Sequence, residues 1–305
     1  MDRALSIGQD ACGSAPSGVG SLKIWLALAK PRLTALVVLT TGGSCVLAAN
    51  GASDWPHLLW TLLGTALAAG GANAANQWAE HRRDARMRRT CDRPLPRGRL
   101  SRMHALLIAL AMLIMGAGLL AVRVNGIAAT LALVSAGIYV LAYTPLKARS
   151  SLCTLIGAVS GAIPPMLGWA AVSGRLDEPA WVLGGLLYVW QVPHFLSLAW
   201  LHREDYASAG VRALSVVDPS GRMTAQVALL HCLALLPIGL GASLAGIAGR
   251  VYMVGSLLLG AAMLATAIGF YHRHTNPAAR RLFLASLFYL PLLFALMLAD
   301  RGPIR

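Results

Sequence analysis

Met103–Ala121 reads MHALLIALAMLIMGAGLLA, nineteen residues without an Asp, Glu, Lys or Arg, closed at its two ends by Arg102 and Arg123. As a helix rising 1.5 Å per residue it would measure about 28 Å, the thickness of a bilayer's hydrocarbon layer. It has no polar face, so it is not the half-wet helix of a soluble globule.

The pattern repeats on both sides of it. Comparable windows lie at 33–50, 57–78, 126–145, 152–173, 180–200, 224–246, 251–271 and 281–299, which makes nine crossings. Of the 305 residues, 57% are apolar and 12% charged, and the mean hydropathy is +0.63. So few ionisable side chains cannot clothe the surface of a soluble chain this size. The expected fold is all-α: a polytopic bundle of nine transmembrane helices forming one domain over 23–305. Residues 1–22, rich in Gly and Ser and without the apolar core of a signal peptide, read as a disordered cytoplasmic tail. Cys12, Cys45, Cys91, Cys153 and Cys232 show neither C-x-x-C nor metal-ligand spacing, give no disulfide framework, and read as small apolar residues.

The 26 Lys and Arg outnumber the 12 Asp and Glu, for a net charge of +14. They are broken up by apolar runs and cover no single face, so the expected partner is a lipid bilayer and no nucleic acid. Twenty-one of the 26 fall in the N-terminal tail and the loops after spans two, four, six and eight; Arg123, Arg175, Arg250, Arg301 and Arg305 fall on the other side. The positive-inside rule therefore places the N-terminus in the cytoplasm and the C-terminus outside. The inner loops after spans two and six run to about 24 residues and hold Glu80, Asp84, Asp92, Glu204, Asp205 and Asp218. Chemistry is expected at that face, and the recurrence of such a loop four spans apart hints at an internal repeat.

Asn73, Asn76, Glu80 and Asp84 fall within about an 80° arc of a continuous helix. Their oxygens suit a hard cation: Mg²⁺ takes one or two protein carboxylates and completes its shell with water and phosphate. Asn76 and Asp84 are separated by roughly 12 Å of rise, so two ions, or one ion with an outer acid, both stay open. Arg82, Arg83, Arg86, Arg88, Arg89, Arg93, Arg97 and Arg99 follow at once. An acidic cation-binding face beside guanidinium forks is what a metal diphosphate requires. The alternative is that the asparagines join helices and the acids pair with neighbouring arginines.

Two further groups stand at the same face. The loop after span four, Tyr143-Thr144-Pro145-Leu146-Lys147-Ala148-Arg149-Ser150, offers a phenol and two cations, although positive loops of this kind are ordinary on the inner side. Span six carries Trp190-Gln191-Val192-Pro193-His194-Phe195, then His202, Glu204, Asp205 and Tyr206. His194 and Asp205 would share a face if the helix ran unbroken, an imidazole at depth and a carboxylate near the surface. A neutral histidine bonded to a neighbouring helix is the alternative. His231, without polar company, reads as structural.

Asn76-Gln77-Trp78-Ala79-Glu80, Asp84, Met87, Arg89-Thr90 and Arg93-Pro94-Leu95-Pro96-Arg97-Gly98-Arg99 resemble the first motif of the protoheme IX farnesyltransferases, or heme O synthases. Lys30-Pro31-Arg32, Tyr143-Thr144 with Leu146-Lys147, Gly161-Ala162-Ile163-Pro164-Pro165 through Gly168-Trp169, Pro193-His194-Phe195 and Asp205-Tyr206 are similar to further landmarks in the same order. These enzymes are UbiA-type intramembrane prenyltransferases. The resemblance implies a nine-helix bundle with a polar cytoplasmic cap, in a bacterial plasma (inner) membrane. It implies transfer of farnesyl from farnesyl diphosphate to a vinyl group of heme B, giving heme O for terminal oxidase assembly, with Mg²⁺ as cofactor. Heme A synthase or oxidase assembly factors would be the partners. By the same resemblance Asn76, Glu80, Asp84 and Asp205 are catalytic and hold metal, and Lys147 is catalytic. Asn73, Arg89, Arg93, Tyr143, Arg149, His194 and Glu204 bind substrate, His194 through heme iron or a propionate.

Three positions depart from the family pattern. Arg82 stands where an acid is usual, about 200° from the centre of the Asn76–Asp84 face. Asp92 replaces the usual asparagine before Arg93-Pro94, and Ala148 separates Lys147 from Arg149 where a direct Lys-Arg pair is usual. The alternatives are another UbiA-type enzyme acting on a quinone precursor or chlorophyll-like tetrapyrrole, a membrane transporter, and a heme-binding assembly protein without catalysis.

Overall fold

The computed structural model describes residues 21–49, 51 and 54–302. The expected tail lies outside them except for 21 and 22, which begin a short helix, α1 (Ser21–Ala29). Among the described residues nine helical segments are long and apolar enough to cross a membrane. They are α2 (Pro31–Ala48), α3 (Trp55–Asp84), α4 (Arg102–Arg123), α5 (Gly126–Gly137) with its continuation to Leu146, α6 (Cys153–Ser173), α7 (Glu178–Leu201) and, after two short helices, α8 (Arg203–Ser208) and α9 (Leu214–Val217), α10 (Arg222–Leu244), α11 (Arg250–Arg273) and α12 (Asn276–Ala299). The protein is a multi-pass membrane protein. Leu39, Ile114, Val122, Leu244, Leu258 and Phe288 are all at least 67% exposed. A surface of this kind is tolerable against acyl chains and not against water.

Local chemistry sets the helix ends. Asp54, Ser101 and Asn125 each accept a hydrogen bond from the backbone N–H three residues on, capping α3, α4 and α5. Gly174, at φ +69°, closes α6 in the left-handed region. Pro164 sits inside α6 and leaves the Ser160 carbonyl without its helical donor; Ser135 Oγ donates to that oxygen at 3.0 Å. Between α3 and α4 the backbones touch, since a Cβ on Gly116 would lie 2.5 Å from Ala68 N. The main core surrounds α7, where Trp169, Leu183, Trp190, Trp200, Tyr252, Phe270 and Tyr289 pack together.

The structure amends four expectations. Span two does not stop at 78: α3 continues to Asp84, because Glu80–Asp84 is polar yet helix-compatible and emerges from the membrane as helix. Span nine begins at Asn276 rather than 281. Cys45, Cys153 and Cys232 are buried thiols as read, whereas Cys91 is disulfide-bonded. Finally, the chain breaks at His202 (φ −112°, ψ 20°), so no unbroken helix joins His194 to Asp205.

The loops after spans two, four and six form one cap. The Arg88 N–H donates to Asp205 Oδ1 at 3.0 Å, Ser208 Oγ to the Arg86 carbonyl at 3.4 Å, and the Arg212 N–H to the Lys147 carbonyl at 2.7 Å.

Candidate active site

Beneath that cap a cavity of about 400 Å³ runs from these loops into the middle of the bundle. Its deep part is lined by side chains such as Val37, Ala68, Ala132, Ile163 and Leu167, and its mouth by Lys30, Asn73, Asn76, Glu80, Arg83, Asp84, Arg89, Arg93, Tyr143 and Lys147. Because α3 is continuous, Asn73, Asn76, Glu80 and Asp84 do line one face, and all four are buried.

Each of these side chains is held at a fixed point. Asn73 Nδ2 donates to the Ala29 carbonyl at 3.3 Å and to Thr34 Oγ1 at 3.2 Å. Asn76 Nδ2 donates to Glu80 Oε2 at 2.8 Å and Thr144 Oγ1 at 3.0 Å, while its Oδ1 accepts from Lys30 Nζ at 2.7 Å. Glu80 Oε2 also accepts from Lys147 Nζ at 2.9 Å, with Arg83 Nη1 3.6 Å from Oε1. Asp84 Oδ2 accepts from Arg93 Nη1 at 2.6 Å. Two buried carboxylates and an amide oxygen thus alternate with cations, a donor set able to hold a small hard cation if phosphate and water supply the rest.

Lys147 owes its position to an irregularity. From Ile138 to Tyr143 the chain winds as a π-helix, and Thr144 Oγ1 donates to the Tyr139 carbonyl at 2.8 Å. The extra residue in that turn brings the Tyr139 and Tyr143 rings into a stack at 5.5 Å and sets Lys147 Nζ 4.5 Å above the Tyr143 ring. Gly157 makes room, since a Cβ there would sit 2.9 Å from that ring. Burial pulls the Lys147 ammonium down, but Tyr143 and Glu80 outweigh it and hold its pKa above the ordinary lysine range. Lys30 goes the other way: burial, then Arg93 and Lys147, push it down to about 7 against the pull of Glu80 and Asp84.

Four expected residues do not line the cavity. Asp205 is occupied with the Arg88 N–H, which leaves it in the cap rather than among the acids of α3. Glu204 and Arg149 are exposed. On α7 the cavity face is formed by Gln191, Phe195, Leu198 and Ala199. At about 100° per residue His194 points roughly 85° from the centre of that face. It stacks between Trp190 and Phe283, and its Nδ1 lies 2.8 Å from Ser286 Oγ. Ser286 Oγ gives its proton to the Phe283 carbonyl at 2.6 Å, so Nδ1 is the donor and the imidazole is locked in one tautomer. This is the neighbour-bonded histidine that was the alternative reading. Among the described residues no three His, Cys, Asp or Glu side chains gather into a metal cluster.

Lys30, Arg83, Tyr139 and Thr144 join the site without having been assigned a role in it, although Lys30 and Thr144 stand among the family landmarks and Arg83 in the arginine run. For Lys30 a signal existed, a cation directly before the proline that starts a span on the inner side. For Tyr139 there was none, because a π turn has no sequence period.

The UbiA prenyltransferase family matches residues 36–295. A protoheme IX farnesyltransferase of Koribacter versatilis (strain Ellin345) is 43% identical over 296 residues, 93% of this chain and 95% of that protein. A solved structure of a digeranylgeranylglyceryl phosphate synthase superposes with a TM-score of 0.78 at 15% identity, covering 92% of this chain and 98% of that one. A UbiA homologue from Archaeoglobus fulgidus bound to DMAPP and Mg²⁺ gives 0.63 at 17% identity, covering 90% and 98%. The chain belongs to the UbiA prenyltransferase family and, within it, to the protoheme IX farnesyltransferases.

Proposed function

We propose that this chain transfers the farnesyl group of farnesyl diphosphate to a vinyl carbon of heme B, producing heme O. The observation that carries the reading is the mouth of the cavity, where buried Asn76, Glu80 and Asp84 alternate with Lys30, Lys147 and Arg93 above an apolar interior. Such a mouth takes a diphosphate head, and such an interior takes an isoprenoid tail.

Lys147, Arg89 and Arg93 would grip the diphosphate oxygens. As the bond between farnesyl C1 and oxygen breaks, the electron pair leaves with pyrophosphate, and these fixed cations stabilise the charge that develops there. Mg²⁺, which the Archaeoglobus homologue binds, would be held here by Asn76, Glu80 and Asp84 and would neutralise further phosphate charge. Tyr139, stacked on Tyr143 in the cavity wall, would offer π density to the allylic cation, and the apolar wall keeps water away. The terminal vinyl carbon then bonds to C1, the positive charge moves to the carbon beside the porphyrin, and water adds there with loss of a proton. Asp205 serves by holding the loop that bears Arg89 and Arg93.

The same reading places the protein in a bacterial inner membrane with its N-terminus in the cytoplasm and its C-terminus outside. Its product would go to heme A synthase or terminal oxidase assembly. The test is mass analysis of heme recovered from purified protein given heme B, farnesyl diphosphate and Mg²⁺. A farnesylated, hydrated heme is expected, and none in EDTA; prenylation of 4-hydroxybenzoate with heme B untouched would overturn the assignment.

A further inference from the structure

The junction of α1 and α2 is built in an unusual way. Lys30 holds a left-handed backbone (φ 48°, ψ 68°), uncommon for a residue with a Cβ, and Pro31 behind it disfavours the ordinary helical alternative. The last carbonyls of α1 have no helical donors of their own. Side chains of α3 and α2 supply them: Gln77, fully buried, donates through Nε2 to the Ala27 carbonyl at 2.9 Å and the Leu28 carbonyl at 2.8 Å. Asn73 and Thr34 both donate to the Ala29 carbonyl, at 3.3 and 2.7 Å. The end of α1 is thereby clamped, and the residue after it is aimed inward.

That residue reaches the mouth of the cavity. Asn76 Oδ1 is the one hydrogen-bond partner of Lys30 Nζ among the described residues, which leaves the nitrogen with bonding capacity to spare. Around the mouth five cations, Lys30, Arg83, Arg89, Arg93 and Lys147, face the two carboxylates Glu80 and Asp84. The surplus calls for a polyanion, and Lys30 approaches it from the α2 side, whereas the others come from α3, its following loop and the end of span four.

We propose that Lys30 binds the diphosphate in the prenyl-transfer site and that Gln77 is the residue that positions it. The inference rests on the prenyl-transfer reading. Gln77 itself points at backbone and touches no substrate, so its effect must pass through Lys30.

The experiment measures the affinity of the full-length protein in detergent for inorganic pyrophosphate with Mg²⁺ present, by calorimetry, alongside formation of farnesylated heme. Lys30→Met should weaken pyrophosphate binding about tenfold or more, and Lys30→Arg should keep most of it. Gln77→Met should weaken it as well, but the double variant should be no worse than Lys30→Met alone, because both act on one contact. Lys30 is partly exposed, so the Lys30 variants are expected to fold even if Gln77→Met does not, and they test the contact unaided. Lys30→Met binding within about twofold of wild type would overturn the contact, and additive losses would overturn the positioning role. Wild-type protein that makes no farnesylated heme overturns the underlying reading. Wild-type protein that does, beside an unaffected Lys30→Met, overturns this inference alone.

Discussion

Asp84 is 1% exposed, its Oδ2 is 2.6 Å from Arg93, and its backbone carbonyl accepts from Thr90 Oγ1 at 2.9 Å. Asp84→Asn keeps the shape and an acceptor for Arg93 but removes the charge. Farnesyl transfer should fall on the order of 10²-fold, and excess Mg²⁺ should not restore it; near-normal turnover would remove Asp84 from the site. His194 poses the opposite case. His194→Ala loses the Ser286 bond and two stacked rings, so it should destabilise the protein by about 1–3 kcal/mol in thermal unfolding, while pyrophosphate affinity stays as in wild type. The Asn73–Asp84 arc was legible because one helical period governs it. The places of Asp205 and His194 were not, since they depend on a break at His202 and on a rotation that only packing against α12 fixes.

At the scale of elements, α3 against α4 is the tightest test of packing. A Cβ at Gly116 would meet backbone, which cannot step aside as a flexible side chain can. Gly116→Ala should therefore cost about 1–3 kcal/mol, read from thermal unfolding in detergent, where Gly118→Ala, with open space around it, should not. The start of α10 offers a pH test. Burial works to raise the Asp218 carboxyl, but hydrogen bonds from Ser220 Oγ and from the Thr224 N–H and hydroxyl outweigh it and hold the pKa below the usual 3.8. A depressed carboxylate contributes stability above its unfolded pKa and loses it as pH falls through the folded value. The gap in melting temperature between wild type and Asp218→Asn should thus be widest above about pH 4 and close below it. Hydropathy located these helices but stopped span two at its first charges. The five polar residues Glu80–Asp84 that carry the acids out of the membrane are helical because α3 simply continues.

Taken whole, the molecule has one strongly basic end, and among the described residues nine helices are long and apolar enough to cross a membrane, an odd number that would put the start of the first and the end of the last on opposite sides. A reporter that is active only outside the cytoplasm should work when fused after Arg305 and fail when fused before Met1; the reverse pattern would invert the proposed orientation. The nine-helix architecture was readable from composition and charge because a bilayer imposes one length and one polarity on every span. The cap was not, since its three loops meet through backbone groups that no side-chain pattern announces. That cap also dictates where damaging alleles would collect in an unbiased genetic screen. Asp205 receives the amide of Arg88 and not its guanidinium, so Arg88→Ala should pass unnoticed while Arg88→Pro and Asp205→Ala disable the enzyme from different parts of the gene.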